Sequence, residues 1–223
     1  MNVGVLLAAG AGTRMGHPKA LANWKGQSFM VHGVRALWSA CDVVITVIGA
    51  RAAAVRHGAE VEFGRLVEAG ALSRELHAAQ AHGARSLEVR FETNRAWSKG
   101  GMLSSARVGL AAALKARPSA ILVLPVDHPE VSGETVGELA ATMAQALGSV
   151  QKNGSRSFPY ALVPRYRGRR GHPLALSAAL ARAVVRDGDA TDLGDAVRRH
   201  ARLVAYLDVR DGGVVVNRNS PGR

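Results

Sequence analysis

Leu7-Ala8-Ala9-Gly10-Ala11-Gly12-Thr13-Arg14-Met15-Gly16-His17-Pro18-Lys19 begins on the last residue of the apolar run Val3–Leu7. That run is short and unbroken, which predicts a strand buried on both faces. Glycines at its end let backbone N–H groups approach phosphate oxygens with no Cβ in the way. Two familiar phosphate loops fail against it. A dinucleotide fingerprint, G-x-G-x-x-G counted from Gly10, would need a third glycine where Met15 stands, and the next apolar run ends in Gly49-Ala50-Arg51 with no acid for a ribose hydroxyl. A Walker A loop needs Gly before its Lys and Ser or Thr after it, whereas Lys19 lies between Pro18 and Ala20. What remains is a glycine turn with Arg14 and, five residues on, Lys19, two cations able to neutralise a triphosphate from two directions. An ordinary strand-to-helix turn with two exposed cations has the same pattern. The turn alone leaves both open.

Outward from this turn, Ser28 is placed to cap a helix reaching about Ala40, with Phe29, Val31, Val34, Leu37 and Trp38 as its apolar side. Val43–Ile48 reads as a second buried strand. Residues 51–84 read as helical and interrupted, with Gly58, Gly64 and Gly70 as breaks. Leu87–Thr93 is a third strand, and Gly100-Gly101 opens a helix running to about Ala116. Ala120–Leu124 is a fourth strand, stopped by Pro125 and followed by Asp127-His128-Pro129. A helix over Ser132–Leu147 and a polar loop over Ser149–Ser157 come next. Tyr160–Val163 and Pro173–Leu176 read as strands flanking the basic turn Arg165–Gly171. Helices near Ser177–Arg186 and Asp192–His200 precede strands near Leu203–Leu207 and Val214–Val216. Alternation of strand and helix predicts an α/β fold, three-layer αβα with a mostly parallel sheet. No linker or repeat divides it, so one domain over 1–223 is expected.

Nearly half the 223 residues are hydrophobic (48%), which predicts a folded core, while no apolar run is long enough to cross a bilayer. No basic segment precedes the first apolar run, so no signal peptide is expected. Cys41 is the only cysteine, which excludes an internal disulfide and suits a cytoplasmic protein. The formal net charge is +12, carried mostly by arginines spread along the whole chain. Such a charge is either a solvated surface or a field that draws in polyanions. Aromatic residues make up only 4% and are not interleaved with the basic ones, which argues against a nucleic-acid stacking platform.

The glycine turn resembles the L-A-A-G-x-[GS]-x-R-M-G-x-x-K signature of the MobA-like NTP transferases, which include the molybdenum cofactor cytidylyl- and guanylyltransferases. The resemblance implies the Rossmann-like nucleotide-diphospho-sugar transferase fold. It also implies a nucleotide held by Leu7, Ala8, Ala9, Gly10, Gly12 and Lys19. Asn94-Arg95-Ala96-Trp97-Ser98-Lys99-Gly100-Gly101-Met102-Leu103-Ser104-Ser105 is similar to a second family segment. It implies nucleotide contacts from Asn94, Gly101 and Ser105, although both serines suit simple helix capping equally well. Trp97 is expected to pack rather than stack. Leu124-Pro125-Val126-Asp127-His128-Pro129 is similar to the family's metal-binding L-P-x-D-x-P. A carboxylate at that strand end projects into the crevice where open α/β sheets bind ligands, and its oxygen suits Mg2+. Val216-Asn217-Arg218-Asn219-Ser220-Pro221 resembles N-[IV]-N-T-P, implying Asn217 as a second metal ligand and Asn219 as its support. Tyr166–Pro173 is similar to the family's basic turn on the acceptor side. The chain departs from the family in about 35 residues between the second and third strands, where a helical insertion near 51–85 is expected as a lid or oligomer contact. It departs again in the loose match of Asp187–Asp192 to the family's G-D-x-G.

Together these imply an enzyme, a Mg2+-dependent nucleotidyltransferase. It would move a nucleoside monophosphate from an NTP to a phosphorylated acceptor, molybdopterin being the best known, and release pyrophosphate. Arg14, Lys19 and Asp127 are the residues expected to act in catalysis. Ala9, where guanylyl types have Gly, leans the choice of nucleotide slightly to CTP. Two alternatives stand beside it: a sugar-phosphate nucleotidyltransferase or glycosyltransferase of the same fold, and a non-catalytic polyanion- or nucleic-acid-binding protein. Nothing in the sequence places the chain on a membrane.

Overall fold

A computed structural model of the chain describes residues 1–12, 16–69, 88–152, 158 and 160–219. Its first half contains β1 (Asn2–Ala8), the hairpin β2 (Asn23–Trp24) and β3 (Gln27–Ser28), α1 (Phe29–Trp38), β4 (Val43–Ile48), α2 (Ala52–Glu68), β5 (Glu88–Thr93) and α3 (Gly101–Lys115). The second half contains β6 (Ala120–Pro125), α4 (Gly133–Lys152), β7 (Tyr160–Tyr166), β8 (Arg169–Arg170), β9 (Leu174–Ser177), α5 (Ala178–Arg186), α6 (Leu193–His200) and β10 (Leu203–Asp208).

The main sheet runs β10-β7-β9-β6-β1-β4-β5, with β8 paired to β7. β1, β4, β5 and β6 are mutually parallel neighbours, and β10 is parallel to β7; β9 runs against both β6 and β7. The mostly parallel sheet expected from the alternation is therefore present, and helices cover both faces. Leu6 and Ala8 of β1 join one apolar cluster with residues of α1, α2 and α4. Val3, Val5 and Leu7 join the other, with residues of α3, α5 and α6. That is the period-two alternation of a strand sandwiched between two helical layers.

From β1 the chain builds outward through β4 to β5, then returns across β1 to lay down β6 on its other side. The reversal leaves a crevice at the carboxyl ends of β1 and β6, where open α/β sheets bind ligands. Both motifs singled out in the sequence, the glycine turn and Asp127, leave the sheet there. Val126 N donates to Leu7 O at 3.0 Å, so the pairing with β1 continues one residue beyond the end of β6.

Two local expectations are corrected, and one element is new. Gly58 and Gly64 do not interrupt a helix: α2 is continuous over Ala52–Glu68. Gly58 lies against Leu21, whose methyl carbons would be 3.0 and 3.1 Å from an added Cβ, so packing rather than breakage accounts for that glycine. Gly70 and the rest of the expected insertion, residues 70–85, lie outside the described residues. Val214–Val216 is not a strand. Asp211 Oδ1 accepts from Gly213 N at 2.7 Å and starts a 3-10 turn over Gly212–Val215, an Asx cap that the valines concealed. The β2–β3 hairpin was not anticipated, although Lys25 and Gly26 both take positive φ in its turn, as two-residue hairpins require. No helix among the described residues is long and apolar enough to cross a membrane.

Candidate active site

The loop after β1 turns sharply because Gly12 has φ +65° and folds against the chain that follows it. A Cβ at Gly12 would lie 2.2 Å from His17 O and 2.6 Å from Lys19 N. No other residue fits that approach. The result is a short return: Lys19 begins a 3-10 turn, Lys19–Leu21, and its side chain reaches back over the sheet end. Lys19 Nζ donates to Asp127 Oδ2 at 3.1 Å and also to Asn219 Oδ1. One ammonium thus joins the glycine loop, the end of β6 and the C-terminal tail. Arg14 lies outside the described residues.

Between these ends is a cavity of about 260 Å3. Of the residues predicted from sequence, Leu7, Ala9, Gly10, Lys19, Gly101, Ser105 and Asp127 line it, whereas Ala8, Gly12 and Asn94 do not. Asn94 instead braces the far wall. Its Nδ2 donates to Ser104 Oγ at 2.8 Å and Ser105 Oγ at 3.0 Å, and its Oδ1 accepts from Ala96 N at 2.9 Å. It is 2% exposed, with both ends of its amide committed. Ser105 is therefore held in place by Asn94, while the first turn of α3, starting at Gly101 with no side-chain cap, leaves backbone N–H groups for a ligand. Trp97 and Met102 also line the cavity and remain partly exposed, at 36% and 49%. Trp97, expected to pack rather than stack, lies against Gly49 and also lines this cavity, a second place that was not anticipated. The signal that could have marked it is its place in the polar, glycine-ended turn before α3, where an indole has little core to enter.

Asn217 is exposed, and it is Asn219 that reaches Lys19. The tail is strapped down by the residue between them. Arg218 N donates to Asp127 O at 2.8 Å, its guanidinium is 2.7 Å from Glu130, and it stacks 3.8 Å from the centre of the Trp24 ring.

Behind Asp127 sit His128 and His172, ring centres 4.9 Å apart. Burial lowers the pKa of His128, against the pull of Asp127 and of its backbone hydrogen bond with Gly213. Burial, then the neighbouring His128, pushes His172 down to about 4. Both imidazoles are therefore neutral near pH 7, and neither Nδ1 has a hydrogen-bond partner among the described residues.

A divalent cation is testable against these groups. Among the described residues no three His, Cys, Asp or Glu side chains converge, which argues against an all-protein metal cage. The donors present are a carboxylate and an amide oxygen already converging on one cation, the Lys19 ammonium. That set fits Mg2+, which binds through one or two protein oxygens and takes the rest of its shell from water and phosphate.

A family model for the MobA-like NTP transferase domain matches residues 4–204. The chain belongs to that family. A relative in Paenarthrobacter nicotinovorans, named nicotine blue oxidoreductase, is 34% identical over 93% of this chain and 87% of its own length. A Bacillus cereus protein named probable molybdenum cofactor guanylyltransferase is 41% identical, but over only 20% of this chain and 22% of its own. The structure of Rv0371c from Mycobacterium tuberculosis H37Rv superposes with a TM-score of 0.64 at 22% identity, covering 98% of this chain and 92% of that one. Rv0371c has also been solved in complex with manganese (TM-score 0.55, 20% identity, 93% and 88% covered). At these identities the solved structures speak for the fold.

In this MobA-like transferase a second cavity, about 580 Å3, opens beyond Met102, which lines both. Val163, Leu174, Val197 and Tyr206 give it apolar walls, and Arg170, Arg198 and Asp192 line it as well. Of the basic turn, Arg165 is engaged by Asp208 in a two-point pair at 2.7 Å, while Arg170 faces this cavity. Asp187, in the segment only loosely like the family's, is structural. Its Oδ1 caps Asp189 N and Ala190 N, and its Oδ2 meets His200 and Arg199.

Proposed function

We propose that the chain transfers a nucleoside monophosphate from a Mg2+-bound NTP to a phosphorylated small molecule and releases pyrophosphate. One contact carries this: Lys19 and Asp127, distant in sequence, meet at 3.1 Å across the crevice between β1 and β6. The acceptor's phosphate oxygen, ionised at neutral pH, attacks the α-phosphorus; the bond to the bridging oxygen of the β-phosphate breaks, and pyrophosphate leaves with the charge. No general base is needed, in keeping with the neutral, buried histidines. Lys19 and the backbone amides of the glycine loop hold and neutralise the triphosphate, and Arg14 adds a second positive charge. Gly101, Ser105 and Trp97 receive the nucleoside, with Asn94 positioning Ser105. When bound at Asp127, Mg2+ supplies Lewis-acid stabilisation of the phosphate charge. Ala9, where guanylyl types have Gly, leans the nucleotide slightly to CTP. The acceptor enters the second cavity, whose apolar walls and flanking arginines suit a planar ring system carrying a phosphate, such as molybdopterin, better than a polyhydroxylated sugar phosphate. The lone cysteine, buried and with its thiol pushed up chiefly by burial, suits a cytoplasmic protein.

A second activity, oxidoreduction, is favoured by one observation, the name of the P. nicotinovorans relative, which matches nearly the full chain. Against it, the loop lacks the third glycine of a dinucleotide fingerprint.

The two separate in one experiment. Each NTP is incubated with Mg2+ and a phosphorylated acceptor panel, and pyrophosphate is followed; NADH and NADPH oxidation is followed in parallel with a planar dye. Pyrophosphate release that falls by about a thousandfold or more in Asp127→Ala, with the fold retained, is the expected result. Near-wild-type release in that variant, or pyridine-nucleotide oxidation with no NTP turnover, rejects transfer.

A further inference from the structure

The Lys19 ammonium sits where a divalent cation would sit. Asp127 Oδ2 and Asn219 Oδ1 both converge on it, and the side chains of Lys19 and Asp127 are only 20% and 12% exposed. Two oxygens, one of them anionic, facing a single point charge in a sheltered place make a cation seat whichever cation fills it. A metal ion approaching Asp127 meets a positive charge already seated about 3 Å from the carboxylate, an arrangement that repels it strongly away from bulk water.

We propose that Lys19 is a built-in placeholder for the divalent cation, so that metal enters only when a triphosphate draws Lys19 away, and that Asn219 rather than Asn217 supplies the second protein oxygen of the seat. The proposal rests on the transfer function above and specifies how its site is gated. A triphosphate offers Lys19 a more highly charged partner than the single carboxylate of Asp127. Its arrival frees the carboxylate and brings the metal's remaining oxygens in the same step. Metal and nucleotide then each strengthen the binding of the other, as linkage requires. The gate also keeps a bare metal from occupying the crevice in a form that blocks the nucleotide.

Asn219 suits this role because it is held. The strap of Arg218 on Trp24 and Glu130, with Arg218 N on Asp127 O, fixes the tail one residue away from it. Asn217, on the other side of the strap, is exposed. An amide oxygen can serve Lys19 as acceptor and a metal as ligand without any change in its own protonation.

The test is a titration of the protein with Mn2+ in the absence of nucleotide, free ion being read by electron paramagnetic resonance. Lys19→Met and Lys19→Gln both remove the charge, and retention of the wild-type thermal midpoint identifies the folded variant to use. Wild type is expected to bind Mn2+ weakly, and the Lys19 variant roughly tenfold tighter or more. In that background Asn219→Ala should weaken Mn2+ by about tenfold, whereas Asn217→Ala should leave it unchanged. Equal affinity in wild type and the Lys19 variants overturns the placeholder, and a loss caused by Asn217→Ala rather than Asn219→Ala overturns the assignment of the ligand. Pyrophosphate release by wild type is measured in the same preparation. If it is present while the Mn2+ affinities are equal, only the gate fails; if it is absent while the affinities differ as expected, the seat stands and the transfer function fails.

Discussion

His172 shows how burial converts a single side chain into a pH response. Its imidazole takes a proton near the usual 6.5 in the unfolded chain, but only at about 4 in the folded one, because burial and then the neighbouring His128 disfavour the charge. Between those values the unfolded chain holds more protons, so stability present above about pH 6.5 is lost as the pH falls toward 4. At about 1.4 kcal/mol per pKa unit, the loss is on the order of 3 kcal/mol. Asp187 works in the same direction at lower pH. Its carboxyl is held below the usual range first by the Asp189 backbone N–H, with His200, Ala190 and Arg199 adding to it, so its contribution is present above the ordinary carboxylate pKa and lost on acidification. The His172 share is therefore read as a difference. Urea midpoints of wild type and His172→Gln, measured from pH 7 to 4, should converge as the pH falls. Parallel curves would show that the ring titrates normally.

At the scale of elements, two glycines in helices carry opposite predictions for one substitution. Gly109 of α3 lies against the sheet, where an added Cβ would be 2.4 Å from Val5 Cγ1 and 2.9 Å from Val47 Cγ2. Gly109→Ala should destabilise by about 1–3 kcal/mol despite alanine's better helix propensity, since α3 must lift off β1 and β4. It should weaken NTP binding too, because the first turn of α3 is a cavity wall. Gly64 of α2 meets nothing within 4 Å, so Gly64→Ala should stabilise by about 0.5–1 kcal/mol. Thermal unfolding of the two variants checks both signs. In sequence these glycines look alike, and that is the boundary of what could be read there. Strands such as Val43–Ile48 were legible to the residue because an apolar run buried on both faces has no other stable place. Asp127 was legible because it follows such a run, and Lys19 because it closes the glycine-turn signature into which the first run leads. The 3-10 turn at Gly212–Val215 and the reach of Asn219 were not, since both are set by contacts with partners far along the chain: Val214 O accepts from His172 N, and Asn219 meets Lys19. Propensity within a window holds no information about those partners.

For the whole molecule the relevant quantity is the net charge of +12 at pH 7. Several arginines are tied up in pairs, Arg165 with Asp208, Arg199 with Asp187 and Arg218 with Glu130, yet pairing leaves the excess over acids unchanged. A field of that sign concentrates any polyanion near the surface, and the crevice at the ends of β1 and β6 is where a triphosphate finds a specific place to stop. The field acts on approach, whereas Lys19 and the loop amides act at contact, so salt separates them. Raising the ionic strength from about 20 to about 300 mM shortens the Debye length from roughly 20 to roughly 6 Å. kcat/KM for NTP should then fall on the order of tenfold, while kcat, set inside the cavity, changes little. The same field attracts RNA and DNA, but with few aromatic side chains for bases to stack on, that binding should be weak and gone by about 300 mM salt, its slope reporting phosphate contacts alone. A nucleic acid retained at that ionic strength, measured by fluorescence anisotropy on a single-stranded oligonucleotide, would mean that the arginines form a built surface. The transfer site would then have to share the molecule with a second ligand.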